Sequence, residues 1–482
     1  MRASPLPPPP PPLSAPSIQH THHLHFPSPR SYVFLSQFKM ALSPAARGGA
    51  TLSTRTVHGE GADIAVPVLT AISKILAFIR EEAVDRVHQM GMSLDTIGWV
   101  LTVPAIWDEA AKSFMRLAAL EAGLIPEIDS DRLQLALEPE GAVIASALDA
   151  PAEIRAKLRV GARVMILDCG GGTVDVTVSE LVGANPPKLR EILAPSGGNW
   201  GGTYVDAEFR KFINSMLLPD GATAMDAHAD AAASAAALDA WESAKCQWDP
   251  ASAGRDKVVV AGLATVCEYV GGAEAMIARV DAYNRTHGLT EGVVYRPRSF
   301  SLVIPAGVVK TFFDACVDPI CAHMQKLLIE AADLQKPVGF VFLVGGFAES
   351  IFLQRSVREA LATDDGYAAT LIIPAKPVQC VNRGAAVWGL YPNSFITSRI
   401  SRMTIAVALC ERYNPAVHDP VPHPNYVITN ATGQWVDNVL VPLVQLGDEI
   451  PVSHSVQQEV SPVRDGQVTV NFKLCAYERA DP

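Results

Sequence analysis

The chain has no C-x-x-C pair, no long apolar run and no broad basic surface. Its eight cysteines stand at 169, 246, 267, 316, 321, 380, 410 and 475, a scatter that indicates neither a zinc ribbon nor a disulfide framework and fits reduced thiols in a cytosol-like compartment. Apolar stretches such as VGFVFLVGGF (338–347) are strand-length, far short of the roughly 20 residues that span a membrane. With 39 basic against 50 acidic residues the formal net charge is −11, which argues against a nucleic-acid binder that neutralises phosphates over a basic face.

Acidic residues are missing from one place, the stretch before Glu60. Residues 1–61 hold a six-proline run at 7–12, QHTHHLHF at 19–26 and many serines. Such a composition predicts a disordered tail with its prolines in polyproline II, because too little apolar surface is present to repay chain ordering. It also resembles an organellar transit peptide, and Met40 offers an alternative start. The histidines read as tail composition rather than as a metal site.

From residue 62 the pattern changes and becomes regular. The chain has 482 residues, 49% of them hydrophobic and 18% charged, enough for at least two packed units. VPVLTAISKILAFIREEAVDRV (66–87) has helical spacing, TIGWVLTVP (96–104) is a strand stopped by Pro104, and WDEAAKSFMRLAALEAG (107–123) is a helix closed by glycine. A helix around 137–149, strands at 163–168 and 173–181, two helices over 203–250, a helix pair over 305–335 and a strand–glycine–helix unit at 338–361 continue the alternation. The pattern is that of an α/β fold with helices on a largely buried sheet. From about 402 short strands and proline-rich loops indicate a β-rich C-terminal unit, 401–482.

Two glycine turns carry the chemistry. In VMILDCGGGTVDVTV (164–178) three glycines follow a strand and an Asp stands on either side. Bare backbone there lets amide groups converge on a phosphate, while Asp168 and Asp175 suit a hydrated magnesium ion or an attacking water. Alone, the same residues also describe a tight hairpin with solvent-facing acids. The second turn, LVGGFAES (343–350), joins a strand to a helix where a base and ribose can lie against backbone, and by itself it is also a plain β–α turn.

Six stretches in order, LTVPAIWDEAAKSFMRLAALEAGL (101–124), ALEPEGAVIAS (136–146), ILDCGGGTVDVTVSEL (166–181), GGNWGGTYVDAEF (197–209), FLVGGFAES (342–350) and NRGAAVWGL (382–390), resemble the 70-kDa heat-shock proteins, most of all the divergent 12A/12B-like branch. The resemblance implies an actin-like ATPase fold of ribonuclease-H-like topology over 62–400, two lobes closing on ATP or ADP with magnesium. By that match Gly170, Gly171, Gly172 and Thr173 form a phosphate loop, and Asp168 and Asp175 organise magnesium and water. Glu138 lies beside the γ-phosphate, and Gly201 and Gly202 meet the β- and γ-phosphates. Glu242 and Lys245 flank the adenine, with Cys246 in place of a stacking arginine, and Gly345, Gly346 and Glu349 form an adenosine motif. Pro104 matches a conformational switch, and Lys112 stands where a relay arginine is usual, keeping the charge without the bidentate fork.

Upstream of residue 62 neither a D-x-G-T-T-like first phosphate loop nor its companion lysine is found. Two readings remain open, a truncated family member and a chain that has given up hydrolysis. The resemblance implies an ATP-binding, chaperone-like cytoplasmic protein with client or signalling partners; the alternatives are a nucleotide-dead interaction scaffold and, less well matched, a sugar kinase of the same superfamily.

Overall fold

Apolar residues on both faces give Arg163–Cys169 no exposed side: Met165, Leu167 and Cys169 enter one buried cluster, Val164 and Ile166 another. The strand sits inside a seven-stranded sheet ordered Thr370–Ile372, Phe340–Val344, Arg163–Cys169, Val174–Ala184, Pro187–Gly198, Ile396–Ile400, Glu449–Pro451. The first three strands are parallel, and 163–198 is an antiparallel meander. Ile396–Ile400 then joins parallel to Pro187–Gly198, and Glu449–Pro451 closes the edge antiparallel. The computed structural model describes residues 35, 38–43, 52, 56–58, 65–93, 97–149, 152–184, 187–217, 231–251, 257–362, 369–391, 394–418, 427–430, 433–457 and 473–477. The proline run and the histidine stretch lie outside these.

One face of the sheet is covered by Ala306–Asp333, a single 28-residue helix where the sequence predicts a pair. Pro319 lies inside it. An interior proline costs about 3 kcal/mol, but Phe312, Phe313, Cys316, Val317 and Ile320 on either side of Pro319 are all buried, and that packing outweighs the lost bond. The opposite face carries Glu138–Asp149 crossed by Cys380–Leu390. Their backbones meet at Gly141 and Gly384, where an added Cβ on either would collide with the other chain segment.

The first lobe is smaller. Trp99–Val103 and Leu133–Leu137 form a parallel pair, covered by Val68–Gln89 and by Glu109–Glu121, whose N-cap Asp108 accepts the Ala111 N–H at 2.9 Å. Part of the expected tail belongs here. Phe38–Leu42 is a 3-10 turn with Ala41 and Leu42 buried in this core, and Thr56–His58 pairs with Ala65–Pro67. FKMAL is apolar enough to be held by the helices it meets, so 1–61 is not uniformly a disordered tail.

The C-terminal sheet runs Val427–Asn430, Gly433–Val444, Thr404–Arg412, Lys473–Tyr477. Its chain returns through Glu449–Pro451 to the central sheet, so no clean break falls at 401. Among the described residues no helix is long and apolar enough to cross a membrane.

Candidate functional site

Parallel pairing sets Val344 opposite Asp168, so both glycine turns leave the sheet at the same, carboxyl-terminal end. In the first lobe Val103 stands opposite Leu137, so the Pro104–Ile106 turn and Glu138 also leave together. The two ends face each other across a cleft. Asp168 and Asp175, partners across the hairpin, lie buried on one side, and Asp175 Oδ1 accepts the Ile106 N–H at 3.2 Å from the other.

The glycine turn is braced from behind. Gly201, Gly202 and Thr203, at the start of the Gly202–Leu217 helix, donate their N–H groups to the carbonyls of Gly172, Gly170 and Gly171 at 3.3, 3.1 and 2.9 Å. A planar trans peptide points its N–H opposite to its C=O. With the three carbonyls turned to the helix, the amides of Gly171, Gly172 and Thr173 are therefore aimed the other way. Gly201 must lack a side chain because a Cβ would collide with the Gly171 carbonyl. Gly345, at φ +90°, holds a left-handed conformation in which a Cβ would strike Asp168 and Cys169, on which it packs.

Burial raises the Asp168 pKa well above the usual carboxylate value, and the negative charges of Glu138 and Asp175 push the same way. Asp175 is lifted to about 6 by burial and Glu138, against the pull of the Ile106 N–H and the Thr173 side chain. One cation opposes this. Lys39 donates to Glu138, lies 5.7 Å over the Trp107 ring and lowers both aspartates.

Beyond the turn opens a cavity of about 300 Å³. Gly171, Gly202, Glu242, Lys245, Cys246, Gly346 and Glu349 line it, joined by Asp206. Lys245 Nζ lies 2.7 and 3.0 Å from the two Asp206 oxygens and also donates to Glu242, while Trp241 Nε1 donates to Asp206 at 3.0 Å. Burial would lower the Lys245 pKa, but the two carboxylates outweigh it and hold it above the ordinary value. Burial raises Asp206, with Lys245 opposing. Glu138, Gly170, Gly172, Thr173, Gly201 and Gly345 thus gather at the acidic end and the remaining expected residues at the cavity.

Sequence reasoning missed Asp206, Lys39 and Met40. Asp206 had a signal, since it lies one helical turn past Gly202 on the same helix. Lys39 and Met40 had none in any motif. Lys112 makes a local pair with Glu109 at 2.6 Å, and it lines a second, smaller cavity with Glu191, Arg399 and Arg402. There Arg399 pairs with buried Glu140, and Glu191 accepts the Ile400 N–H at 2.8 Å.

No family model matches the chain. Heat shock 70 kDa protein 12B of Homo sapiens is 26% identical over 521 residues, covering 95% of this chain and 71% of that protein. Heat shock 70 kDa protein 12A of Mus musculus is 25% identical over 520 residues, with 95% and 72% covered. Chaperone protein DnaK of Mycoplasmopsis agalactiae is 28% identical over 170 residues, 35% of this chain and 24% of that one. Residues 62–482 alone are less than nine-tenths of the chain, so a match over 95% takes in part of the stretch before them. With the ordered motifs carried on this sheet and the likeness running nearly end to end, the chain is similar to the 70-kDa heat-shock proteins of the divergent 12A and 12B branch, and its α/β architecture is that of the actin-like ATPase fold this similarity implies.

Proposed function

We propose that the chain binds ATP or ADP with magnesium between its lobes and acts as a chaperone-like protein whose lobes answer to that nucleotide. The observation that carries this reading is the convergence of three stretches far apart in sequence, around Gly171 and Gly202, Glu242 to Cys246, and Gly346 to Glu349, on one cavity of about 300 Å³ beside the acid pair. A pocket of that size suits a nucleoside, and the amides of the glycine turn face the place where its phosphates would run.

The donor set fits magnesium in its hydrated form. Among the described residues no three His, Cys, Asp or Glu side chains are grouped to hold a metal directly, whereas two facing carboxylates suit a hard ion that keeps its waters. Asp168 and Asp175 take that role, and Glu138 orients a water toward the terminal phosphate. Bound magnesium would supply charge neutralisation at the phosphates. An interaction scaffold with weak nucleotide binding is the second reading, favoured by Cys246, which offers the cavity a thiol where the family resemblance leads one to expect an arginine.

Calorimetric titration of Mg·ATP into the full chain tests this, beside Asp168→Ala and Gly171→Val. An added Cβ at Gly171 meets only the Thr203 methyl, at an ordinary 3.6 Å, so the valine narrows the cavity without forcing the backbone. Saturable binding weakened by both substitutions is expected; a folded protein that takes up no nucleotide would leave the scaffold reading.

A further inference from the structure

The smaller cavity, of about 140 Å³, takes no part in the nucleotide reading. Val103 and Leu137 of the first lobe wall it on one side, and Glu191 and Pro195 of the central sheet on the other. Three cations line it from three places in the chain: Lys112 on the Glu109–Glu121 helix, Arg399 on Ile396–Ile400, and Arg402 just beyond that strand.

Their charges are unequally committed. Arg399 gives Nε, at 3.0 Å, and a second nitrogen to one oxygen of Glu140, a buried carboxylate. Lys112 meets Glu109, whose side chain is 78% exposed, in the kind of pair that water weakens. Arg402 donates to the Trp107 carbonyl at 3.2 Å, an acceptor that carries no net charge.

Glu191 is the acid among the residues that line the cavity. Its Oε2 accepts the Ile400 N–H at 2.8 Å, which leaves Oε1 to carry a proton. Burial lifts this carboxyl to about 7; the Ile400 N–H, Arg399 and Arg402 oppose the lift and Glu140 adds to it. With Glu191 ionised, the three cations are matched by Glu109, Glu140 and Glu191. Once Glu191 takes a proton, one positive charge is in excess and an O–H donor is gained.

We propose that this cavity is a binding site for a small doubly charged oxyanion, sulfate or inorganic phosphate, with Arg402 as its main ligand and Arg399 and Lys112 closing round it. The space is too small for a nucleoside, which asks for about 300 Å³ or more, and guanidinium donors match the oxygen spacing of such an ion. Because protonation of Glu191 frees the excess charge, the ion and a proton are taken up together. The occupant touches both lobes, directly behind Pro104 and Glu138, which follow Val103 and Leu137 toward the cleft.

Equilibrium dialysis of radiolabelled sulfate against the full chain tests this, because sulfate, unlike phosphate, keeps one charge from pH 6 to pH 8. Wild-type affinity should fall about tenfold over that range, the change in protonated fraction of a group titrating near 7. Glu191→Gln supplies a donor without the charge and should hold the pH 6 affinity at pH 8. Arg402→Gln should weaken binding at pH 6 about tenfold or more, while Gly171→Val, at the other cavity, should leave it unchanged. Loss of sulfate in Gly171→Val with Arg402→Gln unaffected would put the ion on the glycine turn and overturn the proposal. So would the absence of bound sulfate at pH 6, or a Glu191→Gln affinity that still falls with pH. A gain of affinity in Glu191→Gln at pH 8 cannot come from a misfolded chain, so the outcome does not hang on the stability of Arg402→Gln.

Discussion

Two lysines face carboxylates in this cleft and share little beyond their charge. Lys245 is 7% exposed, shares a helix with Glu242 three residues earlier and reaches Asp206 on the neighbouring helix. Lys39 is 52% exposed, rides on a five-residue turn and finds Glu138 ninety-nine residues along the chain. Burial and short covalent spacing make the first pair a fixed part of the second lobe, since separating its members would leave a charge in low dielectric. Exposure and a long chain between partners make the second pair one that water and ions can replace.

The largest effect that would test this contrast is expected from Lys245→Met. Methionine keeps the length and loses the charge, leaving Asp206 with the Trp241 indole N–H as its donor from this cluster. Breaking a buried pair from one side costs about 3–5 kcal/mol; the low end applies here, because Asp206 is 22% exposed. A denaturant titration should show a lower midpoint at unchanged slope, and adding Asp206→Asn should recover part of the loss. A midpoint equal to wild type would mean that Asp206 is solvated and that the two lysines do not differ in kind.

An intermediate case sits where Ile396–Ile400 meets the sheet. Glu191 accepts the Ile400 N–H, with Glu140, Arg399, Arg402 and Lys112 around it. Burial lifts its carboxyl from 4.5 to about 7, with the Ile400 N–H and the arginines opposing. A raised folded-state pKa means that the fold prefers the protonated form. The group's contribution to stability is therefore whole below pH 4.5 and lost as pH rises through 7. Glu191→Gln fixes the neutral form and keeps the acceptor, so it should stabilise the protein at pH 8 by about 2 kcal/mol and fade toward zero near pH 4. Paired denaturation curves at the two pH values check this; a gain independent of pH would rule out the ionised carboxyl as the cause.

The same contrast explains what the sequence made legible. The hairpin of Asp168 and Asp175 and both glycine turns are short-range patterns, in which a residue's neighbour along the chain is also its neighbour in space. The α/β alternation was readable for the same reason. Lys39 and Met40 were not, because their partners lie far along the chain and their own segment sits in a stretch whose average composition suggests disorder. The helix through Pro319 was misread because its burial, a tertiary fact, overrides a local signal. The boundary at 401 blurs for an equally non-local reason, the return of Glu449–Pro451 to the central sheet.

The smallest effect is the most telling of the three. Lys39→Met should change global stability by no more than about 1 kcal/mol, the range of solvent-exposed pairs. The pair is half in water, and the buried anchor of its segment, Ala41 and Leu42, is untouched. High salt should shrink even that difference, because exposed charges are screened within a Debye length of about 8 Å at physiological ionic strength. Denaturation of Lys39→Met and Lys245→Met side by side, at low and at high salt, sets the two lysines on one scale. A loss for Lys39→Met as large and as salt-insensitive as that for Lys245→Met would make Lys39 a structural cation like its counterpart.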